Sequence, residues 1–457
     1  MPGTGLTHRT MGRATCAVCA ACSSGPGYLF AMTCAQHLIV ENTRQGSVLS
    51  PRPNLPAHRA VLASLAALLL VVCGPARASR PEIEQLLRDI QVAVLAGDHE
   101  AYLRLVDNTD PVFFQEQRMW AEDLKKIVPT DFRLVIREAS GAAENDSPEE
   151  AGDKESGGSS ESATGGHDPV KIGDGTAEAP IEMVWTLPKA EKPRTLRWTA
   201  KFRRGDQGWL YAGEKWNKLE SEGVLVLFDD GLEGAAKAVA EALPPVRKHV
   251  EQGFEFGPDS PLATRVQQVK IYGSMQHLQA SIYLSYTDGI AGWNEPGEAI
   301  KLLVGRRTTA DSLKPLLAHE YGHVATFELG TARMPWWILE GVAELSAEAY
   351  GKSREQNDKT VRHWKATGKL PPFEEMAEFD DRAKKWYGQV YGQGHHMLGY
   401  ISDRFGSPKR VAWLRAQAQG ASLDDATMNV LGLSFADLDK QWRDSIPDEE
   451  KAPQQGT

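Results

Sequence analysis

The spacing of apolar residues predicts helices and then strands in the first half of the chain. Four strand-like runs follow the helical stretch, at 132–138, 181–187, 196–203 and 209–215. Helices packed on one face of an antiparallel sheet would form an α+β domain over residues 79–220. The helical stretch spans residues 80 to 127, where apolar residues recur at helical intervals, beginning with Ile83, Leu86, Leu87, Ile90 and Val94.

A polar segment interrupts this first unit between its first two strands. Residues 139–179 are dense in Gly, Ser, Asp and Glu and nearly free of large apolar side chains, so we expect a disordered acidic insertion. The order of elements around it loosely resembles the NTF2-like cone. The tryptophans of this unit are predicted to be core residues, with an aromatic ligand-binding box as the alternative: Trp185, Trp198, Trp209 and Trp216.

A second unit, predicted at residues 221–447, alternates short strands with helices before becoming mostly helical. Val224–Phe228 and Val269–Tyr272 are strand-like runs, and Leu232–Gln252 has a helical pattern. Pro244 and Pro245 fall inside that pattern, which predicts a kink or a division of the helix. A polar tail covers residues 448–457.

The candidate chemistry begins with an H-E-x-x-H sequence at His319, Glu320 and His323. Residues four apart share one face of a helix, so both imidazoles can reach one metal ion, with Glu320 beside them. Asp311 or Ser312 is predicted to cap the start of this helix. A catalytic zinc site needs a third protein ligand and an open fourth position, so another ligand should lie nearby.

A second helical stretch supplies acidic candidates for that third ligand. It reads Pro-Trp-Trp-Ile-Leu-Glu-Gly-Val-Ala-Glu from residue 335, and Glu340 and Glu344 lie four apart on one face. Gly341, between them, allows another backbone to approach closely. Both carboxylates can therefore face the helix that carries His319 and His323.

Together these two helices resemble those of the gluzincin metallopeptidases, where H-E-x-x-H is followed by W-x-x-E-G-x-A. The resemblance implies a mostly helical, thermolysin-like zincin domain with a small sheet, and a Zn²⁺ ion bound by His319, His323 and Glu340. It further implies that Glu320 is the general base for a zinc-activated water and that Glu344 orients His319. The interval before Glu340 is shorter than in the aminopeptidase branch, so Glu344 remains the competing third ligand.

The same resemblance suggests where substrate would bind. Gluzincins carry an edge strand just before the metal helix, on which an extended peptide adds itself to the sheet, and 300–304 is the candidate strand. Tyr391 is the predicted oxyanion donor, with Tyr387 one turn away as the reserve. The side chains expected to contact substrate are Ile300, Leu302 and Val304.

Residues 1–78 form a leader with the features of a signal peptide. A His-Arg pair precedes the apolar run Ala60–Val72, and Ala76-Arg77-Ala78 is an A-x-A cleavage site. The run is short for a membrane span, so we expect a mature protein without one, secreted, periplasmic or in the cell envelope. The length of sequence before the run favours a translation start further downstream. A lipid anchor at Cys73 and an uncleaved N-terminal anchor are the alternatives.

Charge and motifs together define the expected function. A formal net charge of −10 argues against nucleic acid as a partner. We expect a zinc metallopeptidase that acts on peptides or proteins. The G-x-M-E-N motif of the aminopeptidase branch is absent, which favours an endopeptidase, with an unusual exopeptidase as the alternative. One alternative is an inactive gluzincin-fold binding protein of the envelope, and another is a structural envelope protein whose H-E-x-x-H holds no metal.

Overall fold

The computed structural model describes residues 80–138, 168–331, 333–351, 353–379 and 381–448. The predicted signal peptide, Cys73, most of the acidic insertion and nearly all of the polar tail lie outside these residues. Over the described residues the chain is a mixture of helices and sheets, as the α+β prediction states. No helix in this part of the chain is both long enough and apolar enough to span a membrane.

The N-terminal unit consists of helices followed by an antiparallel sheet. Its elements are α1 (Arg80–Leu95), α2 (His99–Arg104), α3 (Pro111–Leu124), β1 (Asp131–Ile136), β2 (Lys171–Ile172), β3 (Thr176–Thr186), β4 (Arg194–Gly205) and β5 (Gly208–Glu214). The sheet has the order β1-β3-β4-β5, and β2 pairs with β3. The apolar face of α1 and the inner sheet residues share one core, which contains Ile83, Ile90, Ile181, Trp185 and Phe202.

After the insertion, the sheet resumes earlier in the sequence than the composition of residues 139–179 suggests. Residues 171–172 and 176–179 belong to β2 and β3, so the prediction that the insertion extends to residue 179 is wrong. Ala177 and Ala179 point into the core and are almost fully buried. Because alanine is small, a composition count does not show that buried and exposed positions alternate along this strand. The likeness to the NTF2-like cone stays a prediction.

The second unit contains a mixed sheet and a set of packed helices. Its elements are β6 (Asn217–Ser221), β7 (Val224–Phe228), α4 (Glu233–Gly253), α5 (Pro261–Thr264), β8 (Gln267–Tyr272), α6 (Met275–Ile282), β9 (Gly292–Trp293), β10 (Ile300–Leu303), α7 (Ala310–Glu328), α8 (Trp336–Ala347), α9 (Arg354–Ala366), α10 (Asp381–Lys384), α11 (Tyr387–Phe405), α12 (Ser407–Ala418), α13 (Leu423–Ala426) and α14 (Phe435–Ser445). A 3₁₀ turn at Phe373–Met376 precedes α10, and a π-helical turn at Thr427–Leu431 follows α13.

The mixed sheet has the strand order β6-β7-β8-β10-β9. Strands β7, β8 and β10 run parallel, and β6 and β9 pair antiparallel at the two ends. Strand β6 forms a hairpin with β7, so this sheet begins at Asn217.

Helix α4 packs on α7, α7 on α8, and α8 on α11, which gives the metal-binding motif a rigid helical support. The predicted division of α4 is wrong, because one helix runs through both Pro244 and Pro245, while the predicted kink stays a prediction. Each internal proline removes a backbone hydrogen bond, at a cost of about 3 kcal/mol. Buried side chains on either side, including Leu243 and Val246, hold the helix in the core and offset that cost.

The two units contact each other through α3 and the segment around α6. The indole Nε1 of Trp120 donates to the carbonyl of Ala280 at 3.1 Å, and Ser285 Oγ donates to Asp123 Oδ1 at 2.7 Å. Glu116 on α3 forms a buried ion pair with Lys270 on β8. Polar groups of one unit are thus satisfied by the other, which fixes their relative position.

Candidate metal centre

Helix α7 places the H-E-x-x-H residues in the interior. It begins with a capping box in which Thr309 Oγ1 accepts from the Ser312 amide and Ser312 Oγ accepts from the Thr309 amide. The cap is therefore Thr309, and the prediction of Asp311 or Ser312 is wrong. His319, Glu320 and His323 are each at most 2% exposed.

Three side-chain atoms from α7 and α8 converge on one point. The Nε2 atoms of His319 and His323 are 3.2 Å apart. Glu340 Oε2 lies 3.3 Å from the first and 3.6 Å from the second. Among the described residues, this His-His-Glu group is the one whose geometry could hold a metal ion. Two imidazole nitrogens and one carboxylate oxygen are a donor set that zinc accepts.

Neighbouring side chains hold the atoms of His319 and Glu340 that point away from the convergence point. Glu344 Oε1 lies 3.2 Å from His319 Nδ1, the ring nitrogen that points away from the convergence point. Trp336 Nε1 donates to Glu340 Oε1 at 2.9 Å. Within the described residues, Glu340 Oε2 makes no hydrogen bond, so a buried carboxylate oxygen is aimed at the place where a cation would sit. The structure thus separates the two candidate third ligands, with Glu340 facing the site and Glu344 behind His319.

Burial and proximity strongly perturb the pKa values at the centre. Burial alone would lower the pKa of His319, but Glu340 and Glu344 outweigh it and raise that pKa to about 10. Burial alone would raise the pKa of Glu340, but the two histidines lower it to about 2. The pKa of His323 is lowered by burial. At neutral pH His319 is therefore protonated between two carboxylates, and a metal ion that binds its Nε2 would displace one proton.

Glu320 lies against the sheet, beside β9. A Cβ on Gly292 would be 2.3 Å from Glu320 Oε1, so the carboxylate fits only because residue 292 has no side chain. Glu320 Oε1 makes no hydrogen bond to the described part of the chain, and burial raises the pKa of this carboxyl to about 8. A pKa near neutrality suits a group that accepts and returns a proton.

The predicted edge strand is in the wrong place. Strand β10 pairs with β8 on one side and with β9 on the other, so its backbone is not open to a peptide. The side chains of Ile300 and Leu302 are fully buried and Val304 is 5% exposed, which excludes them as a substrate surface. The end strand of the sheet is β9, beside Glu320. Two residues are too few to show strand periodicity, which explains why the sequence did not reveal it.

Tyr391 is brought to the centre by α11. Its ring stacks on the His319 ring at a centroid distance of 6.0 Å, and its hydroxyl lies 3.2 Å from that of Tyr387. Burial and the nearby Glu340 raise the pKa of Tyr391 well above its ordinary value, so the phenol keeps its proton. The structure thus supports the position predicted for Tyr391, while its role stays a prediction.

Glycines let the supporting helices approach closely. A Cβ on Gly341 in α8 would lie 2.5 Å from the carbonyl carbon of Gly394 in α11. A Cβ on Gly322 in α7 would lie 3.1 Å from the Ala343 Cα in α8. Larger residues at these positions would separate the helices whose side chains form the centre.

One buried acid near the centre was missed by the sequence reasoning. Glu295 follows β9, is 2% exposed, and its Oε1 makes no hydrogen bond within the described residues. Burial raises its pKa well above the ordinary value, and Glu298 and Glu340 add to the effect. Glu295 also lines a cavity of about 370 Å³, together with Val324 and Phe327 of α7. The signal available in the sequence was the Asn294-Glu295 pair directly after the short strand.

Comparison with known proteins gives structural neighbours only. No protein-family model matches the sequence, and no curated protein matches it. A mutant M1 zinc metallopeptidase from Deinococcus radiodurans aligns at 13% identity with a TM-score of 0.32, over 62% of this chain and 64% of that one. The M1 zinc metallopeptidase from the same organism, without a named mutation, aligns at 14% identity and 0.30, over 61% and 63%.

A further neighbour is a mutant two-domain M1 zinc metallopeptidase bound to L-arginine, at 15% identity and a TM-score of 0.31, over 61% of this chain and 62% of that one. The present chain spans less than two thirds of each of these structures. Because the identities and TM-scores are low, the chemistry of this chain rests on the geometry of its own centre.

Proposed function

We propose that this chain is a zinc-dependent peptidase. The observation that carries the proposal is the convergence of His319 Nε2, His323 Nε2 and Glu340 Oε2, with the Glu320 carboxylate buried next to them. The spacing of four residues places both imidazoles on one face of α7, and the packing of α8 on α7 brings Glu340 next to them. Glu340 Oε2 makes no hydrogen bond within the described residues and faces both Nε2 atoms, so a metal ion bound there would satisfy it.

His319, His323 and Glu340 would hold a zinc ion, which would supply Lewis-acid chemistry for activating water and polarising the peptide carbonyl. Glu320 takes the proton of the attacking water at Oε1 and delivers it to the leaving nitrogen. Tyr391 donates its phenolic hydrogen to the oxyanion of the tetrahedral intermediate. Glu344 holds the His319 ring through Nδ1, which leaves Nε2 for the metal.

The substrate of the proposed reaction is an extended peptide paired with β9. Among the described residues, β9 is paired with a strand only on its β10 side, although Gly292 and Trp293 are both buried; a peptide would add itself at the unpaired edge. The cavity of about 370 Å³ beside Val324, Phe327 and Glu295 offers a place for one substrate side chain. This pairing would carry the peptide past Glu320, because Gly292 contacts that carboxylate.

We favour cleavage within a peptide. The second candidate is an aminopeptidase, which the position of the buried Glu295 favours. A buried carboxylate beside the substrate strand could bind a free α-amine. Paired fluorogenic peptides with free and acetylated N-termini distinguish these two activities. An endopeptidase cleaves both, whereas an aminopeptidase cleaves only the free form and loses that activity in Glu295→Gln.

We also propose that the protein acts outside the cytoplasm, because the apolar run Ala60–Val72 and the cleavage site after it have the pattern of a signal peptide. N-terminal sequencing of protein from its natural host should then begin at Ser79. A start upstream of the apolar run would contradict processing.

The proposal is tested by hydrolysis of a peptide library and by zinc content, for wild type and Glu320→Gln. Wild type should cleave, and the variant should retain zinc while losing hydrolysis by about 10²-fold or more. Hydrolysis preserved in the variant would contradict the role of Glu320. Wild-type protein that binds zinc but cleaves nothing would instead identify an inactive binding protein.

A further inference from the structure

Trp336 lies directly beside the candidate third ligand. It is the first residue of α8 and is 2% exposed. Its indole Nε1 donates to Glu340 Oε1 at 2.9 Å, across the four-residue interval that puts both side chains on one face of the helix. Its backbone amide donates to the carbonyl oxygen of Ala377 at 2.8 Å. Both the main chain and the side chain of Trp336 are therefore held in place.

The two carboxylate oxygens of Glu340 have different surroundings. Oε1 accepts the hydrogen bond from the indole. Oε2 lies 3.3 Å from His319 Nε2 and 3.6 Å from His323 Nε2, and it makes no hydrogen bond within the described residues. A carboxylate that can rotate offers a metal ion one oxygen or both. Because the indole engages Oε1, only Oε2 is directed at the point where the histidines converge.

An indole N–H suits this position because it donates a hydrogen bond and cannot accept one. A hydroxyl or an imidazole in its place could turn and offer a lone pair to a metal ion. Trp336 Nε1 and Glu340 Oε1 are both buried, and an unsatisfied buried donor or acceptor is costly. Each group therefore needs the other, which keeps the carboxylate in one orientation.

Aromatic neighbours also hold the ring of Trp336. Three of them meet it edge to face, at centroid distances of 4.8, 6.0 and 6.4 Å, and they are Phe379, Tyr387 and Tyr391. Tyr391 in turn stacks on the ring of His319. The indole thus lies between the metal ligand Glu340 and the tyrosine proposed as the oxyanion donor.

We propose that Trp336 is a positioning residue that commits Glu340 to bind the metal through Oε2 alone. The inference rests on the proposed zinc site. With Oε1 held by the indole, Glu340 supplies one donor atom, as each histidine does, and a fourth position stays open. Trp336 contacts neither the ion nor the substrate in this role and acts only through Glu340.

The variant Trp336→Phe tests the proposal, because phenylalanine keeps an aromatic ring in the cluster and removes the N–H. In the full chain, zinc affinity measured by chelator competition should fall about tenfold. The visible absorption spectrum of Co²⁺ bound in place of zinc reports the number and geometry of the ligands. That spectrum should change, because Oε1 is then free to approach the ion. A purely structural role would lower the melting temperature and leave the spectrum as it is.

The matched control is Trp386→Phe. Trp386 Nε1 donates to Glu375 Oε2 at 2.8 Å, so this variant loses a bond of the same kind to a carboxylate outside the metal centre. Its zinc affinity and Co²⁺ spectrum should equal those of wild type. Folded Trp336→Phe with wild-type affinity and an unchanged spectrum would overturn the inference and leave the proposed function intact. Wild type that binds neither ion would refute the proposed function, and this inference with it.

A measurement on wild type decides the matter if Trp336→Phe does not fold. In ¹⁵N-edited NMR spectra, the indole proton of Trp336 is identified as the indole signal that shifts upfield in Glu340→Ala. When zinc is added to wild type, this signal should keep the downfield position of a proton bonded to a carboxylate. A shift to the position of an unbonded indole would show that the metal has taken Oε1, and would overturn the inference.

Discussion

Replacing Gly292 by alanine should impair catalysis by displacing a single carboxylate. The three atoms nearest to a Cβ at this position all belong to Glu320, at 2.3 Å for Oε1, 2.7 Å for Cδ and 2.9 Å for Cγ. Restoring an ordinary contact of 3.4 Å requires the carboxylate to move by about 1 Å. A displacement of that size at a reacting group costs on the order of 10²-fold in rate.

The assay compares kcat for a fluorogenic peptide, zinc content and melting temperature in wild type, Gly292→Ala and Gly289→Ala. Gly289 is the matched control, because a Cβ there meets no atom within 4 Å. Zinc should be retained in both variants, and kcat should fall only in Gly292→Ala. Adding Glu320→Gln to Gly292→Ala should cause little further loss, since both act on one group. A folded, zinc-bearing Gly292→Ala with wild-type kcat would refute the reasoning.

Two other predictions concern the groups around the centre and at the contact between the units. Glu344→Gln should weaken zinc binding by about 10- to 100-fold in a chelator competition, because it weakens the contact that orients His319, and unchanged affinity would exclude this role. Burial alone would lower the pKa of His277, but Glu214 and Asp229 raise it to about 10 from 6.5. Since the folded pKa is the higher one, the stabilisation is fully present below pH 6.5 and is lost as pH rises towards 10. The urea midpoint of wild type should therefore fall over this range relative to His277→Gln, and parallel pH profiles would contradict the prediction.

The metal centre is the part of the molecule that the sequence predicts best. The i, i+4 spacing of His319 and His323 determines their common face as soon as the segment is helical. Glu340 and Glu344 are also on one face, but which of them turns inward depends on how α8 packs against α7. That packing depends on close contacts at Gly322 and Gly341, which a sequence pattern alone does not reveal.

Local patterns fail where an element is short or its buried side chains are small. Strand β9 has only two residues, so the sequence pattern places the edge strand at the more hydrophobic run that forms β10. The start of β3 was hidden because Ala177 and Ala179 bury little area. The buried ion pair between the units could not be predicted, since Glu116 and Lys270 are brought together only by tertiary structure.

The central claim is that His319, His323 and Glu340 hold one zinc ion. It is tested most directly by metal content after purification without chelator, for wild type beside Glu340→Ala and Glu344→Ala. We expect one zinc per chain in wild type, zinc bound with reduced affinity in Glu344→Ala, and none in Glu340→Ala. No zinc in wild type, or zinc kept by Glu340→Ala and lost by Glu344→Ala, would contradict it.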